Sequence, residues 1–117
     1  MATIMIVDDS RTSRKLLRDL LERGGFEVIG EAGDGEEGWL LYKELKPDIV
    51  TMDITMPKMD GIESLTMIKK ENPDAKIVMI TAAGQNEKMV EALKRGATDF
   101  LVKPFEEEKV LTTLRGI

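Results

Sequence analysis

The sequence contains no cysteine and no histidine. Without cysteine there is no disulfide framework and no thiol nucleophile. Without histidine there is no imidazole base, no His-bound zinc and no His-based triad, and any phosphoryl group the chain carries must sit on another side chain. A basic block is also missing: 22 acidic and 17 basic side chains are spread along the chain for a net charge of -5. That distribution argues against a sequence-independent nucleic-acid binder, which needs a positive face for phosphates. Met1 to Val7 lack the basic-then-apolar layout of a signal peptide, and no apolar run approaches bilayer-spanning length. These absences predict a cytoplasmic protein with no direct nucleic-acid or membrane partner. With no linker or low-complexity run, the 117 residues read as one domain over 1–117.

What is present is organised around Asp48 to Pro57. This stretch begins as a β-branched apolar run, as in a strand buried on both faces. It ends in the carboxylate of Asp53, followed four residues later by Pro57, which stops simple continuation of a ladder. Four similar segments flank it. Thr3 to Val7, Phe26 to Gly30, Lys76 to Ile80 and Asp99 to Val102 read as strands, and Asp48 to Met52 as the central one.

Helical patterns lie between them. Leu16, Leu17, Leu20 and Leu21 form an apolar stripe that ends at Gly24-Gly25, and any of Asp8, Asp9 or Ser10 is suited to cap it. Asp34 and Glu37 make a capping-box start for a second helix carrying Trp39, Tyr42 and Leu45 and stopping before Pro47. Leu40 and Leu41 widen its apolar arc, so some leucine is expected at the surface. Gly38 inside this helix carries a propensity cost of up to ~1 kcal/mol. Asp60 and Glu63 open a third helix with Ile62, Leu65 and Ile68 inward, closed by Asn72-Pro73. A fourth, about Gln85 to Arg95, has Met89, Val90 and Leu93 on one face and Gly96 at its end. Glu106, Glu107 and Glu108 suit the positive end of a last helix with Val110, Leu111 and Leu114 inward. The eight methionines read as core filling.

Strands alternating with helices at short spacing predict right-handed βαβ units and a parallel sheet covered on both faces. The fold class expected is α/β, a doubly wound five-stranded parallel sheet of order 2-1-3-4-5 with five helices, flavodoxin-like in topology. In such sheets chemistry collects outside the carboxyl ends of the strands. The polar residues there are Asp8 and Asp9 after the first strand, Asp53 after the third, Thr81 after the fourth and Lys103 after the fifth.

Three crowded carboxylates repel, and without a counter-ion at least one has its pKa raised. A hard divalent cation such as Mg²⁺ resolves the crowding and commonly bridges carboxylates to phosphate oxygens. Lys103 and Thr81 suit phosphate oxygens as well. One carboxylate is then free to act as a nucleophile and form an acyl phosphate. Asp53 is the best candidate, because it is central and its strand neighbours are apolar.

The motifs Val7-Asp8-Asp9-Ser10, Met52-Asp53-Ile54-Thr55-Met56-Pro57-Lys58-Met59-Asp60-Gly61, Ile80-Thr81-Ala82 and Gly96 through Phe105 occur in order across the chain. Together they resemble the receiver domains of two-component response regulators, in particular the stand-alone chemotaxis type. The resemblance implies that Asp53 is the phosphoacceptor and a sensor histidine kinase the donor. It implies Mg²⁺ ligated by Asp9, Asp53 and the backbone carbonyl of Thr55, with Asp8 acting through water. Lys103, Thr81 and the backbone N–H of Ala82 would hold phosphoryl oxygens, and Lys103-Pro104 would be cis. Phe100 would be the switch aromatic that follows Thr81. The output would appear on the face made by the fourth helix, fifth strand and fifth helix, toward a downstream protein such as a flagellar motor switch. The unphosphorylated chain is expected to be a monomer. Thr55 and Ala83 stand where the family varies residues that tune phosphoryl lifetime.

Taken singly, each residue has a plainer role: Asp8 or Asp9 as a helix cap, Lys103 as a solvated lysine, Thr81 as a turn hydroxyl, Phe100 as core. Their joint placement favours the site. The rival class is a phosphohydrolase with an aspartyl nucleophile, but Thr55 stands where such sites often place a second acid. A flavodoxin-like cofactor site is disfavoured because Asp8 and Asp9 would repel a flavin phosphate. A phosphorelay intermediate, or a receiver cut from a longer regulator, would share the same residues.

Overall fold

In the computed structural model, which describes residues 2–117, strand and helix alternate throughout. The order is β1 (Thr3–Val7), α1 (Arg11–Arg23), β2 (Glu27–Ala32), α2 (Gly35–Leu45), β3 (Ile49–Asp53), α3 (Gly61–Glu71), β4 (Lys76–Thr81), α4 (Asn86–Lys94), β5 (Asp99–Val102) and α5 (Glu107–Arg115). The strands form one parallel sheet in the order β2-β1-β3-β4-β5. The expected doubly wound architecture is therefore the observed one. Because β1 and β3 are neighbours with chain leaving them toward opposite sides, their carboxyl ends flank the switch point of the sheet.

Two apolar layers cover the sheet. On one face Met5, Val7, Val50, Met52, Ile77 and Met79 pack with Tyr42, Ile62, Leu65, Ile68 and Ala92. On the other, Ile4, Ile6, Ile49, Val78 and Ile80 pack with Leu17, Leu20, Leu21, Val110, Leu111 and Leu114. Alternate residues of one strand thus serve opposite layers, as the pleat requires. Met5, Met52, Met56 and Met79 are buried as core filling, whereas Met59, Met67 and Met89 are only half-buried.

The helix starts follow the sequence signals. Ser10 caps α1 by accepting from Ser13 N–H, which leaves Asp8 and Asp9 free of capping duty. Asp34 and Asp60 cap α2 and α3 through the amides of Glu37 and Glu63. The Glu37 carboxylate accepts from Gly33 N–H, one residue before the N-cap, so the reciprocal bond is displaced by one position from a standard capping box.

Several expectations are corrected. β2 runs Glu27–Ala32 rather than Phe26 to Gly30, since its pairing with β1 continues through Val7 and Ala32. β3 likewise begins at Ile49, while Asp48 binds the backbone N–H and hydroxyl of Thr3. Leu16 is exposed, because the buried arc of α1 is Leu17, Leu20 and Leu21. On α4 only Ala92 is buried; Val90 and Leu93 face outward and Met89 is half-buried. Leu40 is exposed, as the wide arc of α2 suggested. Gly38 has a packing reason: a Cβ there would come within 2.9 Å of a Val7 methyl, so any larger residue would force α2 and β1 to give way at that point.

Candidate functional site

The site lies where β1, β3, β4 and β5 end. Each of these strands finishes in a polar residue or passes into one, because beyond the last paired residue the chain meets solvent at the sheet rim. Asp8 and Asp53 are nevertheless buried, Asp9 is exposed and Thr81 is buried. Gly61 allows the close approach behind Asp53. Its N–H donates to the Ile54 carbonyl at 2.7 Å, and a Cβ would fall 2.0 Å from the Asp53 carbonyl oxygen. The start of α3 is thereby pressed against the strand end that carries the carboxylate.

One carboxylate oxygen from each of Asp8, Asp9 and Asp53 falls within 4.8 Å of the others. Lys103 reaches into this group, with Nζ donating to Asp8 Oδ2 at 2.9 Å and to Asp53 Oδ2 at 3.3 Å. The Lys103-Pro104 peptide is cis, as the motif implied. Asp8 also accepts from Ser10 N–H.

The electrostatics follow from this crowding. Burial pushes the Asp53 carboxyl up to about 6, and the Asp8 charge adds to it, while Lys103 pulls the other way. Burial alone would lower Lys103. Its hydrogen bond to Asp8 and the charges of Asp53 and Asp8 outweigh that and raise it. A carboxylate whose pKa is raised in this way, at a water-reachable strand end, is a group whose charge remains to be compensated. Three converging hard oxygen donors fit a small divalent cation of the Mg²⁺ class.

The other expected residues are nearby in the fold, with different partners. Thr81 Oγ1 lies 3.0 Å from Gln85 Oε1 and 3.1 Å from its neighbour's carbonyl, Ala82 O. Ala82 N–H donates to the same Gln85 oxygen at 2.9 Å. Thr55 is exposed in the loop leaving β3, and its hydroxyl accepts from Gln85 Nε2 at 2.8 Å. Phe100 is half-buried on β5 against the layer that holds Met79. Gln85 makes these contacts although sequence spacing marks it only as a helix start. The available signal was its type: glutamine is too long to be a favoured N-cap, and here it makes no capping bond to α4.

The chain matches the family model described as "Response regulator receiver domain" over residues 4–115. It belongs to that family. Two relatives match it over nearly their whole length. The chemotaxis protein CheY of Thermotoga maritima is 49% identical over 114 residues, covering 97% of this chain and 95% of that protein. Protein CcdB of Bacillus subtilis is 49% identical over 117 residues, covering 100% and 98%. Among solved structures, the CheX-CheY-BeF3-Mg complex from Borrelia burgdorferi superposes with a TM-score of 0.94 at 41% identity, covering 98% of this chain and 87% of that one. The receiver is a signalling domain of a two-component system, and its acidic rim is of the kind with which receivers bind Mg²⁺. Among the described residues no helix is long and apolar enough to cross a membrane.

Proposed function

We propose that this receiver is a phosphorylation-controlled switch in which Asp53 takes a phosphoryl group from the phosphohistidine of a sensor kinase. The observation that carries the reading is the position of the Asp53 carboxylate: buried at the end of β3, in reach of Lys103, and grouped with Asp8 and Asp9. An Asp53 oxygen attacks phosphorus in line, the bond from phosphorus to the kinase imidazole nitrogen breaks, and the imidazole recovers a proton from solvent. The product is a mixed acyl-phosphate anhydride. The chemistry is mainly positioning and charge neutralisation.

Each residue has a part in this. Asp9, Asp53 and the Thr55 carbonyl would hold Mg²⁺, with Asp8 acting through water. When bound, the ion neutralises charge shared by the carboxylate and the phosphoryl oxygens. Lys103 would turn from the two carboxylates toward a phosphoryl oxygen, keeping its positive charge throughout. Thr81 Oγ and Ala82 N–H would hold the remaining oxygens. As Thr81 moves, the half-buried Phe100 would turn inward, coupling the site to the face of α4, β5 and α5. Val90, Leu93 and Val102, all exposed there, suit contact with a protein partner.

Similarity to CheY proteins supports a chemotaxis output in the cytoplasm from a single receiver domain, through a downstream protein such as a flagellar motor switch. The test is intact mass after incubation with Mg²⁺ and acetyl phosphate, beside an Asp53→Ala control. A labile gain of one phosphoryl group, absent from the control and without Mg²⁺, is the expected result. Continuous phosphate release from a stable monoester would instead favour the hydrolase.

A further inference from the structure

The donors assigned above to the phosphoryl group are already engaged. Ala82 N–H donates to Gln85 Oε1 at 2.9 Å, and Thr81 Oγ1 lies 3.0 Å from the same atom. The backbone amide can only donate, so it fixes the carboxamide with its oxygen toward the site. Nε2 then points the other way and donates to Thr55 Oγ1 at 2.8 Å. The amide group of one side chain therefore bridges the loop leaving β4 to the loop leaving β3, two residues beyond Asp53. Gln85 does this at the expense of its own helix, since it stands at the N-cap of α4 without capping it.

We propose that Gln85 is a latch on the resting site: its carboxamide oxygen stands in for a phosphoryl oxygen on Thr81 Oγ and Ala82 N–H, and must leave before those donors can turn to phosphorylated Asp53. This rests on the phosphoacceptor reading and adds a positioning residue to it. The Thr81 hydroxyl has a single proton, which cannot serve Gln85 and a phosphoryl oxygen together. Nor is the Ala82 amide, already donating to one acceptor at 2.9 Å, free for a second at full strength. Release of Gln85 also frees Thr55, so the two loops let go in one event. The latch makes the unphosphorylated arrangement a defined state and sets a threshold against adventitious anions.

The test compares wild-type protein with Gln85→Ala and Gln85→Asn. Alanine removes the amide. Asparagine keeps it but is one methylene too short to join Thr81 to Thr55, and it is a better helix cap. The probe is beryllofluoride with Mg²⁺, titrated by calorimetry, with hydrogen exchange at Ala82 N–H followed by NMR in the free proteins. Both variants are expected to bind the probe about fivefold more tightly, the worth of a typical net hydrogen bond released for the ligand. Ala82 N–H is expected to exchange faster in both. A capping role would instead separate alanine from asparagine in stability and leave their probe affinity alike and unchanged. Unchanged or weaker binding in both variants, or an Ala82 amide that stays protected, overturns the latch. Failure of the wild type to bind beryllofluoride with Mg²⁺ overturns the phosphoacceptor reading instead.

Discussion

Lys103 Nζ lies 3.3 Å from Asp53 Oδ2 while it also donates to Asp8 at 2.9 Å. One ammonium therefore serves two buried carboxylates, and that of Asp53 is left incompletely compensated. Burial and Asp8 raise the Asp53 pKa, Lys103 opposes them, and the net position is about 6. The resting site is thus electrostatically unfinished, which suits the cation and the phosphoryl group proposed for it.

The first prediction concerns pH. A carboxyl whose folded pKa is raised binds its proton more tightly in the folded than in the unfolded chain. Its contribution to stability is fully present below the unfolded pKa near ~4 and is lost as pH rises through the folded value. For Asp53 that window runs from roughly 4 to about 6. Asp53→Asn, which mimics the neutral form, is expected to stabilise the metal-free protein above this window and to change little below it. The full shift corresponds to about 3 kcal/mol, and solvent reaching the carboxylate brings the expected gain to about 1–2 kcal/mol. Urea midpoints in EDTA at pH 4 and pH 7.5 check it; equal gains at both would show that Asp53 is not strained by charge.

A second prediction lies in the middle of β3. Thr51 is fully buried, and among the described residues its hydroxyl has no hydrogen-bond partner. Its methyl and backbone fit a central strand, but the hydroxyl carries a desolvation penalty with nothing in return. Thr51→Val keeps the shape and is expected to stabilise the fold by about 1 kcal/mol. Thermal or urea unfolding checks this, and a loss of stability would mean that the hydroxyl finds a partner in solution.

Much of this was legible in advance because strand ends mark themselves. Asp8, Asp53, Thr81 and Lys103 each terminate an apolar run or follow one directly, and a parallel sheet sends all such ends to one rim. Two kinds of information were not legible. Periodicity gives the spacing of apolar residues but not which arc meets the sheet, so Leu16, Val90 and Leu93 fit the helical stripes yet lie exposed. Side-chain direction outside regular elements is equally invisible. Gln85 reads as a helix start, and only its fold back onto Thr81 and Ala82 reveals a second role.

Gly38 supplies the third prediction and shows the limit of propensity. From helix preference alone, Gly38→Ala should gain up to ~1 kcal/mol. In the fold a Cβ would lie 2.9 and 3.0 Å from the two Val7 methyls, which are locked in the core. Overpacking of that kind costs about 1–3 kcal/mol. Gly38→Ala is therefore expected to destabilise by about 1 kcal/mol, and Gly38→Ala with Val7→Ala to recover part of the crowding term. Urea denaturation of the four proteins of the cycle decides it. Additive effects of the two changes would place the crowding elsewhere.

The last prediction concerns the lifetime of the phosphorylated state. Ala83 is exposed in the loop between Thr81 and Gln85, and its methyl offers nothing to orient water. With Asp53 as the proposed phosphoacceptor, hydrolysis of its acyl phosphate would require a water in line with the bond from phosphorus to the Asp53 oxygen, and an amide or carboxylate that holds such a water would accelerate the step. Ala83→Gln and Ala83→Glu are expected to shorten the phosphoryl lifetime about tenfold, while Ala83→Leu leaves it unchanged or longer. Decay of the phosphorylated protein after removal of the donor, followed by intact mass with Mg²⁺ present, measures this. Because Ala83 lies outside the donor set itself, beryllofluoride affinity should stay near the wild-type value in all three variants. Decay rates that do not vary across the series would show that the attacking water approaches from another side, past Thr55.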